Sequence, residues 1–249
     1  METGLALSGG AARGIAHIGV IKYLEEKNIK PDIIAGTSAG AIVGSLDASG
    51  FTSSQLEEVA REFNWREIFR LARIRFPKMG LLQLDFLDKI LKPHLEDKNF
   101  ENLNIPLVVV TVDLNQQAPY FITHGPLIPA IKASSAIPGI FFPVTHHSRM
   151  LVDGGLLHNI PTLPLSQNGV KKIIAVDVHA HRGPEGSPRN IFEVIYYSLF
   201  MLSKYRENED AQLATHLIVP DLEEIGMWDL TQNDELIELG YKKAREVLG

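Results

Sequence analysis

Residues Asp32 to Leu46 read DIIAGTSAGAIVGSL, and no other stretch restricts the fold as tightly. Asp32 to Ala35 has the length and apolar character of a buried strand, whereas Ala39 to Leu46 is small and apolar with helical rather than alternating character. Ser38 stands at the junction. Gly36 and Gly40 lie two residues away on either side, which is the G-x-S-x-G arrangement of a nucleophile elbow. A strand that turns at once into a helix holds its central residue in a strained conformation, and neighbouring backbone passes so close that side chains at the flanking positions would collide. The serine hydroxyl then projects from a helix N-terminus, whose dipole favours developing negative charge. The same residues also suit a plain strand-to-helix turn with Thr37 or Ser38 as N-cap, so the motif alone leaves both readings open.

The preceding residues supply the strand that such a turn needs beside it. Gly4 to Ser8 is a short apolar strand that runs into SGGAARG, Ser8 to Gly14, and then into the helical pattern IAHIGVIKYLEEKNI. With Asp32 to Ala35 following Pro31, the first 46 residues read as β-α-β-α with parallel strands joined by a right-handed crossover. Parallel strands place the turns after them at one carboxyl edge, so Gly9 to Gly14 and Ser38 are expected to be neighbours. Phe51 to Glu101 has a helical pattern opened by a capping region at Thr52 to Ser54. Leu107 to Asp113, LVVVTVD, reads as a buried strand with Pro119 to Thr123 as its partner. Ala130 to Val144 reads as a short helix ending at Ala136, then an apolar loop. Met150 to Val152 leads into DGG at Asp153 to Gly155, and Lys172 to Val178 and His216 to Val219 are further strands. Val194 to Leu202 is apolar on nearly every side, the mark of a buried helix, although such a segment can also shape an apolar pocket or contact lipid. Asn233 to Leu248 is a closing amphipathic helix. With no repeat, low-complexity tract or domain-length linker, residues 1–249 are expected to form a single α/β domain.

Charge and composition exclude several classes. A net charge of −6 argues against nucleic acid, which needs Lys and Arg clustered over a whole face. The absence of cysteine removes disulfides, thiolate nucleophiles and cysteine-based metal sites. Met1 to Lys22 lacks the form of a secretion signal, and no window reaches roughly 18 uninterrupted apolar residues, so a cytoplasmic protein is expected. One local exception is Arg66 to Lys78, REIFRLARIRFPK, with five basic residues against one acid and apolar residues between them. It suits a basic amphipathic element lying on the inner membrane surface or acting as a lid, and equally a surface helix with a solvated face.

A serine hydroxyl that attacks an ester needs a base, donors for the oxyanion and a dry place for the substrate. Gly9, Gly10 and Ala11 supply backbone N–H groups on an open loop at a helix N-terminus. SGGAARG matches neither G-x-G-x-x-G nor G-x-x-x-x-G-K-[ST], which disfavours a dinucleotide or phosphate loop. Asp153 is a candidate base, although D-G-G is also a common turn. His158, His179, His181 and His216 follow in the chain order of a Ser-Asp-His triad, and His179 with His181 has the H-x-H spacing of a metal pair. His17 has a packing role on the first helix. Arg13 either orients a phosphate or pins the loop by bonding to carbonyls.

Taken together, GGAARG at Gly9 to Gly14, GTSAG at Gly36 to Gly40, SSAIPGIFFPV at Ser134 to Val144 and DGG at Asp153 to Gly155 resemble the patatin-like phospholipase family. The resemblance extends to its bacterial lysophospholipase-like branch, related to the catalytic domain of neuropathy target esterase, and covers roughly Thr3 to Val178. It implies a three-layer α/β/α sandwich with a mainly parallel central sheet. It also implies a Ser-Asp centre without catalytic histidine, metal or cofactor. Carried over by position, Ser38 is the nucleophile and Asp153 activates it. Gly9, Gly10, Ala11 and Arg13 form the oxyanion loop, Gly36 and Gly40 the elbow, and Gly154 and Gly155 complete the second motif. Ala11 departs from the family pattern, which has a third glycine there; the N–H donor remains, but φ is restricted. The expected substrate is a lipid or fatty-acyl ester, with hydrolysis as the reaction. Acyl transfer to an acceptor and a non-catalytic lipid-binding role are the alternatives.

Overall fold

The computed structural model describes residues 1–63, 82–179, 187–188 and 191–249. Its core begins with β1 (Thr3–Leu7), buried on both faces and lying between two parallel partners, β2 (Ile33–Thr37) and β7 (Lys172–Val176). β3 (Leu107–Asp113) runs parallel beside β2, and β8 (His216–Ile218) parallel beside β7. The remaining strands are antiparallel: β4 (Ala118–Ile122) and β6 (Arg149–Asp153) both pair with β3, and β5 (Val144–His146) pairs with β6. The sheet is thus eight-stranded, ordered β5-β6-β3-β2-β1-β7-β8 with β4 attached to β3.

Continuous apolar runs such as LVVVTVD form central strands because each face of the sheet is covered by helices. On one face Leu5, Leu7, Ile34, Val109, Ile174 and Val176 pack into the larger core. Its cover is α1 (Ala16–Glu26), α2 (Ala39–Ala48), α3 (Ser53–Glu62), α4 (Asp85–Leu95), α5 (Leu127–Ser134) and α8 (Asn233–Leu248). On the other face Ala6, Ile33, Ala35, Val108, Ile173 and Ala175 pack against Leu165 of α6 (Thr162–Gln167) and Ala211 of α7 (Ile191–Gln212). This is the expected three-layer α/β/α sandwich. Each fully buried aliphatic side chain in it contributes roughly 1.5–3 kcal/mol relative to exposure. Thr52 opens α3 with a capping box: its hydroxyl accepts from the Gln55 N–H, and Gln55 Oε1 accepts from the Thr52 N–H. The short helix α5 begins at Leu127 rather than Ala130 and ends at Ser134, ahead of Pro138.

The apolar segment Val194 to Leu202 lies in α7 but is not buried on all sides. Met201 and Leu202 are 71% and 63% exposed, and Ile191, Val194 and Tyr205 are exposed with them, whereas Glu207 and Asp210 point inward. The physical reason is pairing. Asp210 Oδ1 lies 2.8 Å from His158 Nδ1 and Glu207 bonds His179 Nδ1, so the inner face of this helix is seated by these polar pairs as well as by Phe200 and Ala211. The basic stretch Arg66 to Lys78 lies outside the described residues. Among the described residues no helix is long and apolar enough to cross a membrane.

The register of β3 brings distant parts of the chain together. Thr37, the last residue of β2, is opposite Val110, and Asp153, the last residue of β6, is opposite the next residue, Thr111. A parallel and an antiparallel neighbour therefore end at the same point along one strand.

Candidate active site

Ser38 sits at φ 52° and ψ −116°, a conformation that costs roughly 1–3 kcal/mol for a residue with a side chain. The surrounding structure maintains it. Its N–H donates to Ser134 Oγ at 2.8 Å, and the Ser134 hydroxyl donates in turn to the Val110 carbonyl at 2.6 Å. The elbow glycines are explained by space. A Cβ on Gly36 would stand 2.6 Å from the Gly40 carbonyl oxygen, and one on Gly40 would stand 2.1 Å from the Leu7 carbonyl oxygen and 2.5 Å from its carbon. Because Leu7 is central backbone that cannot retreat, Gly40→Ala is expected to destabilise the protein by about 3 kcal/mol or more, measured by urea denaturation. A midpoint equal to wild type would contradict the tight turn.

Asp153 ends β6 and caps the 3-10 turn Gly154–Leu156, accepting the Gly155 N–H on Oδ1 at 2.8 Å. Gly154 lies so close to β3 that a Cβ there would be 2.4 Å from the Val110 oxygen. Burial pushes the Asp153 carboxyl up to about 6, opposed by the Gly155 amide, the Ser38 hydroxyl and the charge of His179, each of which favours the carboxylate.

The loop after β1 approaches from the third side. The Gly9 N–H donates to the Asn159 carbonyl at 3.2 Å, so this amide seats the loop and is not offered to a ligand. Among the described residues the Gly10 and Ala11 N–H groups have no partner. Ala11 adopts φ 49°, the left-handed region that favours glycine. Arg13 is buried and pins the loop, donating from Nε to the Ile225 carbonyl at 2.8 Å and from Nη1 to that of His179 at 3.1 Å. Of the two roles open to it, the structure supports the pin. His17 is fully buried beneath the loop and donates from Nε2 to the Ser8 carbonyl at 2.9 Å; burial holds its imidazole down at about 4 and therefore neutral.

Two cavities meet at Ser38. One is apolar and lined by residues such as Ile15, Val43, Leu56, Leu87 and Phe141. The other is lined by Gly10, Asp153, Asn159, His179, Phe200 and Ser203. Ala11, Ser38, Ile137 and Trp228 border both. Of the other histidines, His179 shares the second cavity with Ser38 and Asp153, while His158 is turned to Asp210 and His216 lies on β8 beside Thr215. His181 lies outside the described residues. Among the described residues no three His, Cys, Asp or Glu side chains are grouped to hold a metal ion.

Ser134, Asn159 and Glu207 were not singled out individually by sequence. Ser134 lies in a segment noted for its resemblance, and Asn159 follows closely on D-G-G. Glu207 carries no local signal, since its partners are 28 and 48 residues away.

Comparison with known proteins identifies the family. A family model for patatin-like phospholipase matches residues 5–166. An uncharacterised NTE family protein of Mycobacterium bovis is 35% identical over 184 residues, covering 74% of this chain and 50% of that protein. A protein named lysophospholipase NTE1, of Eremothecium gossypii, is 33% identical over 178 residues, covering 70% of this chain and 12% of that protein. The chain thus spans at most about half the length of these relatives. The crystal structure of VipD from Legionella pneumophila shares the fold, with a TM-score of 0.56 at 14% identity, covering 98% of this chain and 66% of that one. On the matched residues and the fold they build, the chain belongs to the patatin-like phospholipase family.

Proposed function

We propose that this chain is a serine acyl hydrolase that cleaves carboxylic ester bonds of phospholipids or lysophospholipids. The observation that carries the proposal is the position of Ser38, in a strained elbow where an apolar cavity meets a second one lined by Asp153, Asn159 and His179. In this reading the acyl chain occupies the first cavity and the alcohol part of the ester the second, beside Asp153. Ser38 Oγ attacks the carbonyl carbon as Asp153 takes its proton, and the Gly10 and Ala11 N–H groups receive the oxyanion. The intermediate collapses, Asp153 returns the proton to the departing alkoxide, and the acyl group stays on Ser38. Water then attacks the acyl-enzyme with Asp153 again as base, releasing the carboxylic acid and the serine hydroxyl.

Incubation with lysophosphatidylcholine, followed by mass spectrometry, is expected to show free fatty acid and glycerophosphocholine; their absence with lysophospholipid, phospholipid and p-nitrophenyl esters would defeat the proposal. The pH profile follows from Asp153. A base must be deprotonated, so kcat/KM is expected to be level above about pH 6 and to fall about tenfold per unit below it. A profile level down to pH 4 would exclude Asp153 as the base.

Contact with a lipid surface belongs to the same proposal. The exposed side chains Val194, Met201, Leu202 and Tyr205 lie on the helix whose inner face, Leu199, Phe200 and Ser203, lines the second cavity, and half-exposed Trp228 borders both cavities. Cosedimentation with phosphatidylglycerol vesicles is expected, and is expected to weaken in Met201→Ser/Leu202→Ser; identical binding by that variant would remove this surface from the proposal.

A further inference from the structure

Glu207 is a carboxylate on the inner face of α7, where an apolar side chain ordinarily packs. It accepts from Asn159 Nδ2 at 3.1 Å and bonds His179 Nδ1. Each partner reaches a different part of the site. The Asn159 carbonyl holds the Gly9 N–H, and its side-chain Oδ1 lies 2.6 Å from where a Cβ on Gly9 would stand and 3.2 Å from where one on Gly155 would stand. This amide therefore fills the space between the oxyanion loop and the turn that follows Asp153. His179 lines the second cavity, its ring packs on Phe200 with centroids 4.2 Å apart, and its carbonyl is held by Arg13.

We propose that Glu207 is a positioning residue: holding Asn159 and His179 from behind, it sets the spacing between the oxyanion loop and the Asp153 turn and keeps the His179 ring facing the cavity. The inference rests on the reading above that Ser38 and Asp153 turn over esters. The charged groups nearby are Asp177, whose Oδ1 accepts the His179 N–H at 2.9 Å, Arg13 at the His179 carbonyl, and Asp210 with its partner His158 along α7. The charge of His179 favours the Asp153 carboxylate. A ring released from Glu207 is no longer fixed in the cavity beside Asp153, and a loosened Asn159 no longer aims the Gly10 and Ala11 amides.

The test compares wild type, Glu207→Gln, Glu207→Asp, Asn159→Ser and Ser38→Ala on p-nitrophenyl butyrate across pH, with thermal unfolding of each. Both partners converge on Glu207 Oε1, so Glu207→Gln keeps an acceptor there but removes the charge that strengthens both bonds. It is expected to lower kcat about 10- to 100-fold with little change in KM. It is also expected to move the acid limb of the kcat/KM profile to higher pH, and Glu207→Asp is expected to recover part of both. Wild-type kcat and an unmoved acid limb in a folded Glu207→Gln would overturn the proposal. If that variant does not fold, Asn159→Ser decides by kcat, where a wild-type value overturns it. Full turnover by Ser38→Ala would overturn both this inference and the proposed function, whereas loss in Ser38→Ala with wild-type behaviour in Glu207→Gln overturns this inference alone.

Discussion

Ser38→Ala is expected to lower ester turnover about a thousandfold or more while leaving the thermal transition near that of wild type. The two effects separate because the hydroxyl and the elbow depend on different atoms. The Oγ removed is the bond-forming atom in the proposed mechanism, and no other described side chain stands at the junction of the two cavities with a comparable nucleophile. The elbow is held by the Ser38 backbone N–H on Ser134 Oγ, and alanine keeps that bond. Alanine also tolerates φ 52° no better than serine, so the strain is neither relieved nor increased. Residual turnover over water would come from the Gly10 and Ala11 amides and from binding. Hydrolysis of a p-nitrophenyl ester series by purified variant and wild type checks this, and a loss smaller than about tenfold would overturn the assignment of Ser38.

Asp153→Asn is expected to lose activity by a comparable factor and yet to gain stability at neutral pH. An amide cannot accept the serine proton, so the attack and the return of the proton both fail. The stability argument rests on burial. The folded carboxyl is held up at about 6 against an ordinary value of 3.8, so the folded state binds its proton more tightly than the unfolded chain does. Between these two values the folded state holds more protons, and the contribution of Asp153 to stability declines as pH rises through that window and stays lost above it. The difference corresponds to about 1–3 kcal/mol at neutral pH. Asparagine carries no charge to desolvate and keeps Oδ1 for the Gly155 N–H. Thermal denaturation at several pH values is the measurement. The advantage of the variant is expected to be largest above pH 6 and to vanish toward pH 4, and a variant less stable than wild type at pH 7 would refute the burial cost.

Much of the site was legible in the sequence because its parts are local. Strand, turn and helix around Ser38 lie within fifteen residues, and the glycines at 36 and 40 are dictated by backbone that the same segment and its neighbour bring close. Gly10, Ala11 and Asp153 were legible for the same reason, each being a turn directly after a strand. The role of Gly9 was not, because whether its amide is open depends on the Asn159 carbonyl, 150 residues further on. The exposed face of α7 was legible only as an alternative to burial. Apolar residues around a helix indicate burial only while no polar partner competes for the inner face, and His158 and His179 supply such partners from elsewhere in the chain.

Residue order alone therefore determined the parallel β-α-β-α core and the strand-to-helix elbow, through periodicity and glycine spacing, and the family with the three-layer sandwich it implies, through the resemblance of motifs a few residues long. The tertiary structure decided which groups meet. Asp153 stands beside Ser38 because β2 and β6 end at adjacent positions along β3, Val110 and Thr111, and no spacing within either motif encodes that register. It also decided what each buried polar group bonds to. A carboxylate such as Glu207 becomes tolerable in an interior only when donors from remote segments converge on it, and that convergence exists only once the chain has folded.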